Sequence, residues 1–248
     1  MARVSVISGN VPILADVEGP LGGPTVLLLH AGGESRTVWL PITEAVVAHG
    51  WRTISPDLRG HGESGRAAAY HLDDFVLDLE RVIEELGDEP LVVVGGSIGG
   101  ALGLILAGER RLSVAGLVLL DVATRPSADS ALRERRKIVE AQSRGVEALR
   151  AVDGEFMRGS FLDDVVATFD RWSRAARQLR IPTLLILGTR STVVGSSELQ
   201  ATKDDIPQIE VVAVPAGHLV ARDCPSEVAA HLTRFLDRVG PEPPLVRA

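Results

Sequence analysis

The stretch that decides the fold is Leu91-Val92-Val93-Val94-Gly95-Gly96-Ser97-Ile98-Gly99-Gly100-Ala101. It begins with a short apolar run, typical of a strand buried on both faces, and continues into a helical pattern. Between the two lies Gly-x-Ser-x-Gly, in which Gly95 and Gly99 leave room for the strand and the helix to pack around a tight turn. Such a strand-turn-helix forms a nucleophile elbow, which holds its serine strained and exposed. The pattern therefore indicates Ser97 as a nucleophile.

The same turn admits a second interpretation, a dinucleotide-binding unit. A glycine-rich turn from strand to helix, with an acid such as Asp121 at the end of the next strand, is typical of such units. However, Gly-x-Gly-x-x-Gly requires glycine at the position of Ser97. The turn also lies about 90 residues into the chain, and no other segment indicates a nucleotide. The nucleophile elbow is therefore the favoured interpretation.

Apolar runs rich in β-branched residues alternate with amphipathic helical patterns along most of the chain. The runs are 25–29, 52–55, 91–94, 114–120, 183–187 and 209–214, and the helical patterns are 38–49, 73–86, 98–110 and 225–239. Continuous apolar strands that alternate with helices predict an α/β fold, a mostly parallel central sheet flanked by helices. Functional sites in such sheets lie at the carboxyl ends of the strands.

The alternation breaks between residues 124 and 180, where only helical patterns occur, at 130–143 and 163–179. About 55 residues is long for a single connection. We interpret 124–180 as a small helical cap inserted into a core domain of residues 1–123 and 181–248. The alternative is a pair of ordinary crossover helices.

Composition narrows the classes of function. The chain of 248 residues is 45% hydrophobic, has a net charge of −7 and has no basic cluster, so we expect no nucleic-acid partner. Its one cysteine, Cys224, excludes an intramolecular disulfide and fits a reducing compartment. The first residues lack the apolar block of a signal peptide, and no stretch is long and apolar enough for a membrane span. We expect a cytoplasmic protein without a membrane partner, and the sequence leaves the oligomeric state open.

Two further strand ends carry groups that acyl transfer needs. The first is Leu29-His30-Ala31-Gly32-Gly33-Glu34, where small residues can direct a backbone N–H at the mouth of the elbow. A developing oxyanion needs two donors about 3 Å away, each worth about 3 kcal/mol of barrier. We assign these donors to the N–H groups of Gly32 and Ile98. The second strand end is Val214-Pro215-Ala216-Gly217-His218, which makes His218 the candidate general base.

A fourth segment, Pro56-Asp57-Leu58-Arg59-Gly60-His61-Gly62-Glu63-Ser64, follows another strand and is polar. We expect its charged residues to hold the loop rather than to react, and we expect no metal ligands, since histidines and acids at ligand spacing are absent from the sequence. Candidates for lining a substrate pocket are Glu34 and Trp39 after the oxyanion loop, and Phe161 and Trp172 in the cap.

These segments together resemble the α/β-hydrolase superfamily, in the branch of small serine esterases, lactonases and cofactor-free haloperoxidase-like enzymes. Leu-Leu-His-Ala-Gly-Gly, Pro-Asp-Leu-Arg-Gly-His-Gly-Glu-Ser, Gly-Gly-Ser-Ile-Gly-Gly and the last Gly-His occur in that family's order, over about residues 20–238 apart from the cap. The resemblance implies an α/β-hydrolase fold and an enzyme that cleaves a carboxylic ester or lactone of a small to medium organic molecule. It implies a Ser97 acyl-enzyme with His218 as base, and no cofactor.

One departure from the family concerns the acid of the triad. Members usually carry it in a segment resembling Gly-x-x-Asp-x-Val-Val, but this chain has Gly188-Thr189-Arg190-Ser191-Thr192-Val193-Val194. The acid's place is taken by Ser191 or Thr192, depending on the alignment. Neither stabilises an imidazolium as a carboxylate does, and losing that carboxylate can cost about 10⁴ in turnover.

Two explanations stay open. Asp121, at the end of the preceding strand, can supply the acid, as the resemblance to haloalkane dehalogenases implies. Otherwise Asp121 only caps the start of the cap segment, and the triad is incomplete. The protein would then be a slow hydrolase, or a non-hydrolytic or ligand-binding member of the fold. Asp204 and Asp205 are more remote candidates for the acid.

Overall fold

A computed structural model of the chain describes residues 1–87, 90–127, 129, 136, 152–154, 156 and 161–240, except for the side chains of residues 161–163. Within these residues eight strands form one sheet, with bounds β1 Ala2–Ser8, β2 Val11–Glu18, β3 Thr25–Leu29, β4 Arg52–Pro56, β5 Leu91–Gly96, β6 Val114–Leu120, β7 Thr183–Gly188 and β8 Glu210–Val214. All six apolar runs that predict strands are strands, and their ends differ from the prediction by at most two residues.

The strand order is β1-β2-β4-β3-β5-β6-β7-β8. Strand β2 runs antiparallel to β1 and to β4, and every pairing from β4 to β8 is parallel. The mostly parallel sheet is therefore confirmed, and an antiparallel hairpin extends it at one edge. The carboxyl ends of β3 to β8 lie along one side of the sheet, which is where such folds place their chemistry.

A short 3₁₀-helix, Arg36–Trp39, precedes the first α-helix. The α-helices with described bounds are α1 Leu40–Ala48, α2 Leu72–Leu86, α3 Ile98–Gly108, α4 Phe161–Ala167, α5 Phe169–Gln178, α6 Ser196–Asp205, α7 Val220–Asp223 and α8 Pro225–Val239. Among the described residues, no helix combines the length and the apolarity needed to cross a bilayer.

The core consists of two apolar layers, one on each face of the sheet. Successive strand side chains point to opposite faces, so Leu27 and Leu29 of β3 pack with residues of α2 and α3, while Val26 and Leu28 pack with α1 and α8. All four of these side chains are fully buried. Because both faces are covered, the strands are continuously apolar, and this is why the sequence pattern identified them.

The region interpreted as a cap is described only in part. Its predicted helix at 130–143 lies outside the described residues apart from Arg136. The predicted helix at 163–179 is two helices, α4 and α5, which meet at Thr168. Helix α5 packs along α3 and buries Trp172 in the same apolar layer, so this end of the segment belongs to the helical layer beside the sheet.

Candidate active site

The turn between β5 and α3 has the strained geometry that its sequence predicts. Ser97 has φ 49° and ψ −118°, a conformation that costs a non-glycine residue about 1–3 kcal/mol. A Cβ on Gly95 would lie 2.3 Å from the carbonyl oxygen of Gly99, and one on Gly99 would lie 2.3 Å from that of Leu29. Both positions therefore require glycine, and their close packing holds Ser97 at the tip of the elbow.

The two predicted oxyanion donors lie beside each other. A Cβ built on Gly32 would be 3.8 Å from Cγ2 of Ile98, so the β3 loop and the start of α3 are in contact. Within the described residues, neither the Gly32 nor the Ile98 N–H donates a hydrogen bond. Ile98 is also the first residue of α3, where the aligned peptide dipoles leave a partial positive charge. Two free donors at this edge can bind an oxygen that gains negative charge.

Asp121 turns toward His218. Strands β5 and β6 pair in register up to Gly96 and Leu120, so Ser97 and Asp121 are the first residues beyond adjacent strand ends. The Nδ1 atom of His218, in the loop after β8, lies 2.8 Å from Oδ2 of Asp121. The ring nitrogen that faces a carboxylate donates its proton, which leaves Nε2 free to accept one.

Asp121 is held firmly in that orientation. Its side chain is 1% exposed, its backbone φ is 54°, and its Oδ1 accepts a hydrogen bond from the Gly188 N–H at 3.2 Å. A non-glycine residue with positive φ is uncommon and indicates a position that its surroundings determine. Asp205, in contrast, accepts hydrogen bonds from Arg125, Thr124 and Ser173, and Asp204 is exposed.

Ser97 and His218 are not joined by a hydrogen bond in this structure. Within the described residues the Ser97 hydroxyl has no hydrogen-bond partner, and the only such contact of the His218 ring is Asp121. Both side chains are partly exposed at the carboxyl edge of the sheet. Catalytic hydrogen bonds are often long in the absence of substrate, so the separation is compatible with a working pair.

Glu34 lies next to this group of residues. Its Oε2 accepts a hydrogen bond from the Ala31 N–H at 3.4 Å, and its buried Oε1 has no partner among the described residues. Burial raises the pKa of the Glu34 carboxyl to about 7, against the opposing charges of Arg222 and His218. A carboxyl group with one buried, unsatisfied oxygen therefore lies beside the loop that follows β3.

Of the other three predicted lining residues, two are buried in the core, and the side chain of the third lies outside the described residues. Trp39 is 1% exposed and packs in the apolar layer with α1 and α8. Trp172 is 6% exposed and lies on the buried side of α5. Phe161 begins α4, and its side chain lies outside the described residues. Phe156, in the segment interpreted as a cap, lies near the site, with its Cζ 4.0 Å from a Cβ built on Gly32 and its ring 4.4 Å from that of His61.

The polar residues of the loop after β4 fix the loop in place through a buried ion pair and hydrogen bonds, as the sequence indicates. Asp57 is fully buried, pairs with the Arg36 guanidinium and accepts the Arg36 N–H at 2.7 Å. His30 accepts the Leu58 N–H on Nε2, so its ring ties this loop to the end of β3. Burial lowers the pKa of His30 to about 4 and that of His61 to about 3, and both rings are neutral at pH 7.

Two contacts around Asp121 and His218 were not predicted. Ser191, named in the sequence only as the residue at the usual acid position, donates its hydroxyl to Oδ2 of Asp121. Asp223 in α7 accepts the Gly217 N–H at 2.8 Å and so holds the loop that carries His218. Both contacts depend on how distant loops meet, and no local pattern in the sequence indicates them.

A family model described as the alpha/beta hydrolase fold matches residues 24–178. The chain belongs to the alpha/beta-hydrolase family. The resemblance and the α/β-hydrolase fold expected from the sequence are thereby confirmed.

Relatives across nearly the whole length are hydrolases. Lipase LipV of Mycobacterium tuberculosis is 31% identical, and the alignment covers 90% of this chain and 96% of that protein. The sn-1-specific diacylglycerol lipase ABHD11 of Mus musculus is 28% identical over 89% of this chain and 83% of its own. These relatives support hydrolysis as the general activity.

A solved structure agrees on the architecture. The thermophilic esterase from Thermogutta terrifontis superposes with a TM-score of 0.76 at 24% identity, covering 96% of this chain and 99% of that one. At this identity the likeness shows the fold alone.

Proposed function

We propose that the chain is a serine hydrolase that cleaves a carboxylic ester or lactone of a small to medium, uncharged organic substrate. The observation that carries the proposal is the 2.8 Å hydrogen bond between His218 Nδ1 and Asp121 Oδ2, one strand away from the strained turn of Ser97. A serine alone in this turn has no base. The His218–Asp121 pair supplies one, with its acid on β6 instead of β7.

In the first half of the reaction, Nε2 of His218 takes the proton of Ser97 as Oγ attacks the carbonyl carbon. The N–H groups of Gly32 and Ile98 bind the oxygen that becomes negative. Asp121 stabilises the imidazolium and keeps its tautomer. The imidazolium then gives its proton to the departing alkoxide, which leaves an acyl group on Ser97.

In the second half, His218 removes a proton from water as the water attacks the acyl carbon. The same two N–H groups bind the second oxyanion, and the imidazolium returns its proton to Ser97 Oγ. These steps use protein groups and water only.

Of the predicted substrate-binding residues, Glu34 is adjacent to this chemistry, and its unpartnered Oε1 would accept a hydrogen bond from a donor group on the substrate. We propose that the cap segment covers this site with its part around Phe156, which contacts the oxyanion loop at Gly32, and not with α5, which packs along α3.

The relatives named as lipases support an ester as the bond that is cleaved, but they do not identify the substrate. An ester bond is what a lipase cleaves, and the match to two of them favours ester hydrolysis over other chemistry on this fold. The length of the acyl group and the choice between an open ester and a lactone depend on the cap region.

One observation favours a second candidate, a non-hydrolytic or ligand-binding member of the fold. Ser97 and His218 share no hydrogen bond within the described residues. If they also stay apart with ligand bound, the pocket could hold a molecule without cleaving it. Such a protein would bind an ester and release it intact.

The test is a rapid-mixing experiment with an activated aryl ester, together with labelling by a fluorophosphonate. We expect a burst of about one aryl alcohol per protein molecule, followed by slower turnover, and a phosphonyl adduct on the peptide that contains Ser97. Ser97→Ala should abolish both signals while it folds normally, since alanine removes only the hydroxyl. A wild-type protein that gives neither burst nor adduct would contradict the proposal, and ester binding without cleavage would favour the second candidate.

A further inference from the structure

The turn after β7 brings a hydroxyl to the acid of the proposed triad. Strand β7 ends at Gly188, and the Ser191 N–H donates to the Gly188 carbonyl at 2.9 Å, which closes a tight turn. The turn directs the Ser191 side chain inward, where it is partly buried, and leaves the next residue, Thr192, exposed. The backbone alone therefore selects Ser191, of the two candidates in the sequence, as the residue that faces β6.

The direction of the Ser191 hydroxyl is fixed by two hydrogen bonds. The Val193 N–H donates to Oγ at 3.1 Å, and Oγ donates its own proton to Oδ2 of Asp121. A hydroxyl has only one proton, and the Val193 contact occupies a lone pair. The proton is therefore directed at the carboxylate.

The oxygen that Ser191 contacts is the one that His218 uses. Oδ2 of Asp121 accepts from Ser191 Oγ and from His218 Nδ1, while Oδ1 accepts from the Gly188 N–H. Each of these three hydrogen bonds restricts rotation of the carboxylate about its Cβ–Cγ bond. With all three in place, a lone pair of Oδ2 stays directed at the imidazole.

A purely local role explains only half of these contacts. A serine that accepts the N–H two residues later forms a common turn, and this requires nothing from Asp121. In such turns the hydroxyl proton is free to bond water or a nearby carbonyl. Here it bonds a carboxylate that is 1% exposed and lies 70 residues away in sequence.

We infer that Ser191 is a positioning residue of the site, whose hydroxyl holds Oδ2 of Asp121 in line with His218 Nδ1 and so fixes the ring tautomer. The residue that replaces the family's usual acid thus supports the acid that lies on β6. The catalytic consequence of this inference rests on the proposed function, whereas its structural content does not.

The first test is kinetic. Ser191→Ala should lower kcat about tenfold, the usual effect of losing one charge-assisted hydrogen bond, and should change KM less than twofold, because Ser191 does not touch substrate. Ser191→Thr keeps the hydroxyl and should restore kcat. Thr192→Ala, next in the chain and exposed, is the matched control and should match wild type. An unchanged kcat in Ser191→Ala, or a loss that Ser191→Thr shares, would overturn the inference.

The second test needs no substrate. In protein labelled with ¹⁵N-histidine, correlations from the carbon-bound ring protons report the Nδ1 resonance of His218, which His218→Gln identifies. We expect Ser191→Ala to move this resonance downfield as the Nδ1–H tautomer is held less strictly, and Ser191→Thr to return it. Should Ser191→Ala fail to fold, Ser191→Gly also removes the hydroxyl. A resonance that keeps its wild-type position in the variant without a hydroxyl would overturn the inference.

The two tests separate this inference from the proposed function. If the wild-type protein has no esterase activity, the nitrogen shift still decides whether Ser191 holds the Asp121–His218 pair. If activity is present and the shift does not move, the proposed function stands and the positioning role is rejected.

Discussion

At the scale of single residues, Asp121 owes its orientation to neighbours that are distant in sequence. Asp121 lies in a left-handed conformation at φ 54°, and its carboxylate is surrounded by donors from the loops after β7 and β8. The sequence identified Asp121 as a candidate, because it ends an apolar strand. Its two possible roles, triad acid and cap, differ only in the direction of the side chain, and that direction depends on Gly188, Ser191 and His218.

Glu34 gives a prediction about stability that follows from its pKa. The pKa is about 7 in the folded protein and 4.5 in the reference state, so between these values the folded protein binds the proton more tightly. Stability is therefore highest below pH 4.5 as far as this group is concerned, decreases as pH rises to 7, and stays low above it. Glu34→Gln should raise the free energy of unfolding at pH 8 by about 3 kcal/mol.

Chemical denaturation at pH 8 and at pH 4 checks this expectation. The difference between Glu34→Gln and wild type should disappear at the lower pH, where wild-type Glu34 is itself neutral. The exposed Glu44→Gln is the control and should differ little from wild type at either pH. Equal stabilities of Glu34→Gln and wild type at pH 8 would show that burial does not penalise the Glu34 charge.

At the scale of elements, the elbow depends on how closely β5, α3 and the end of β3 approach one another. A methyl group on Gly99 would lie 2.3 Å from the backbone oxygen of Leu29, where neither strand nor helix can retreat. A methyl group on the neighbouring Gly96 would meet its nearest atoms only at 3.9 Å. Two glycines in the same motif thus differ in what they do.

Gly99→Ala should therefore destabilise the protein by about 3 kcal/mol or more, because the clash is with backbone. Gly96→Ala, the matched control, should cost less than about 1 kcal/mol. Thermal unfolding followed by circular dichroism measures both. Similar melting temperatures for the two variants would contradict the packing described for the elbow.

At the scale of the whole molecule, the sheet was predictable from the sequence, and the division into core and cap stays a prediction. Strands β3 and β5 to β7 are buried on both faces, so their apolar runs stand out in the sequence. Strand β2 and helix α6 were missed, because a half-buried strand of an antiparallel hairpin and a polar helix have weaker patterns. The sequence could nominate Ser97 and His218 as site candidates because each lies in a local motif at a strand end.

For the predicted pocket residues, the sequence did not distinguish a position in the pocket from a position in the core. Trp39 and Trp172 were selected for their position after the oxyanion loop and in the cap, yet each packs in one of the two apolar layers of the core. An aromatic residue has the same sequence signature in a core and in a pocket wall. Only the three-dimensional packing distinguishes the two.

In the proposed Ser97–His218 hydrolase, Asp121, directly after β6, supplies the acid. The most direct measurement is the second-order rate at which a fluorophosphonate labels Ser97 in wild type, Asp121→Asn and, as control, the exposed Asp204→Asn. We expect Asp121→Asn to label about 10³- to 10⁴-fold more slowly, because the amide favours the wrong ring tautomer and does not stabilise the imidazolium, and Asp204→Asn to label at the wild-type rate. Labelling of Asp121→Asn within about threefold of wild type would contradict the claim.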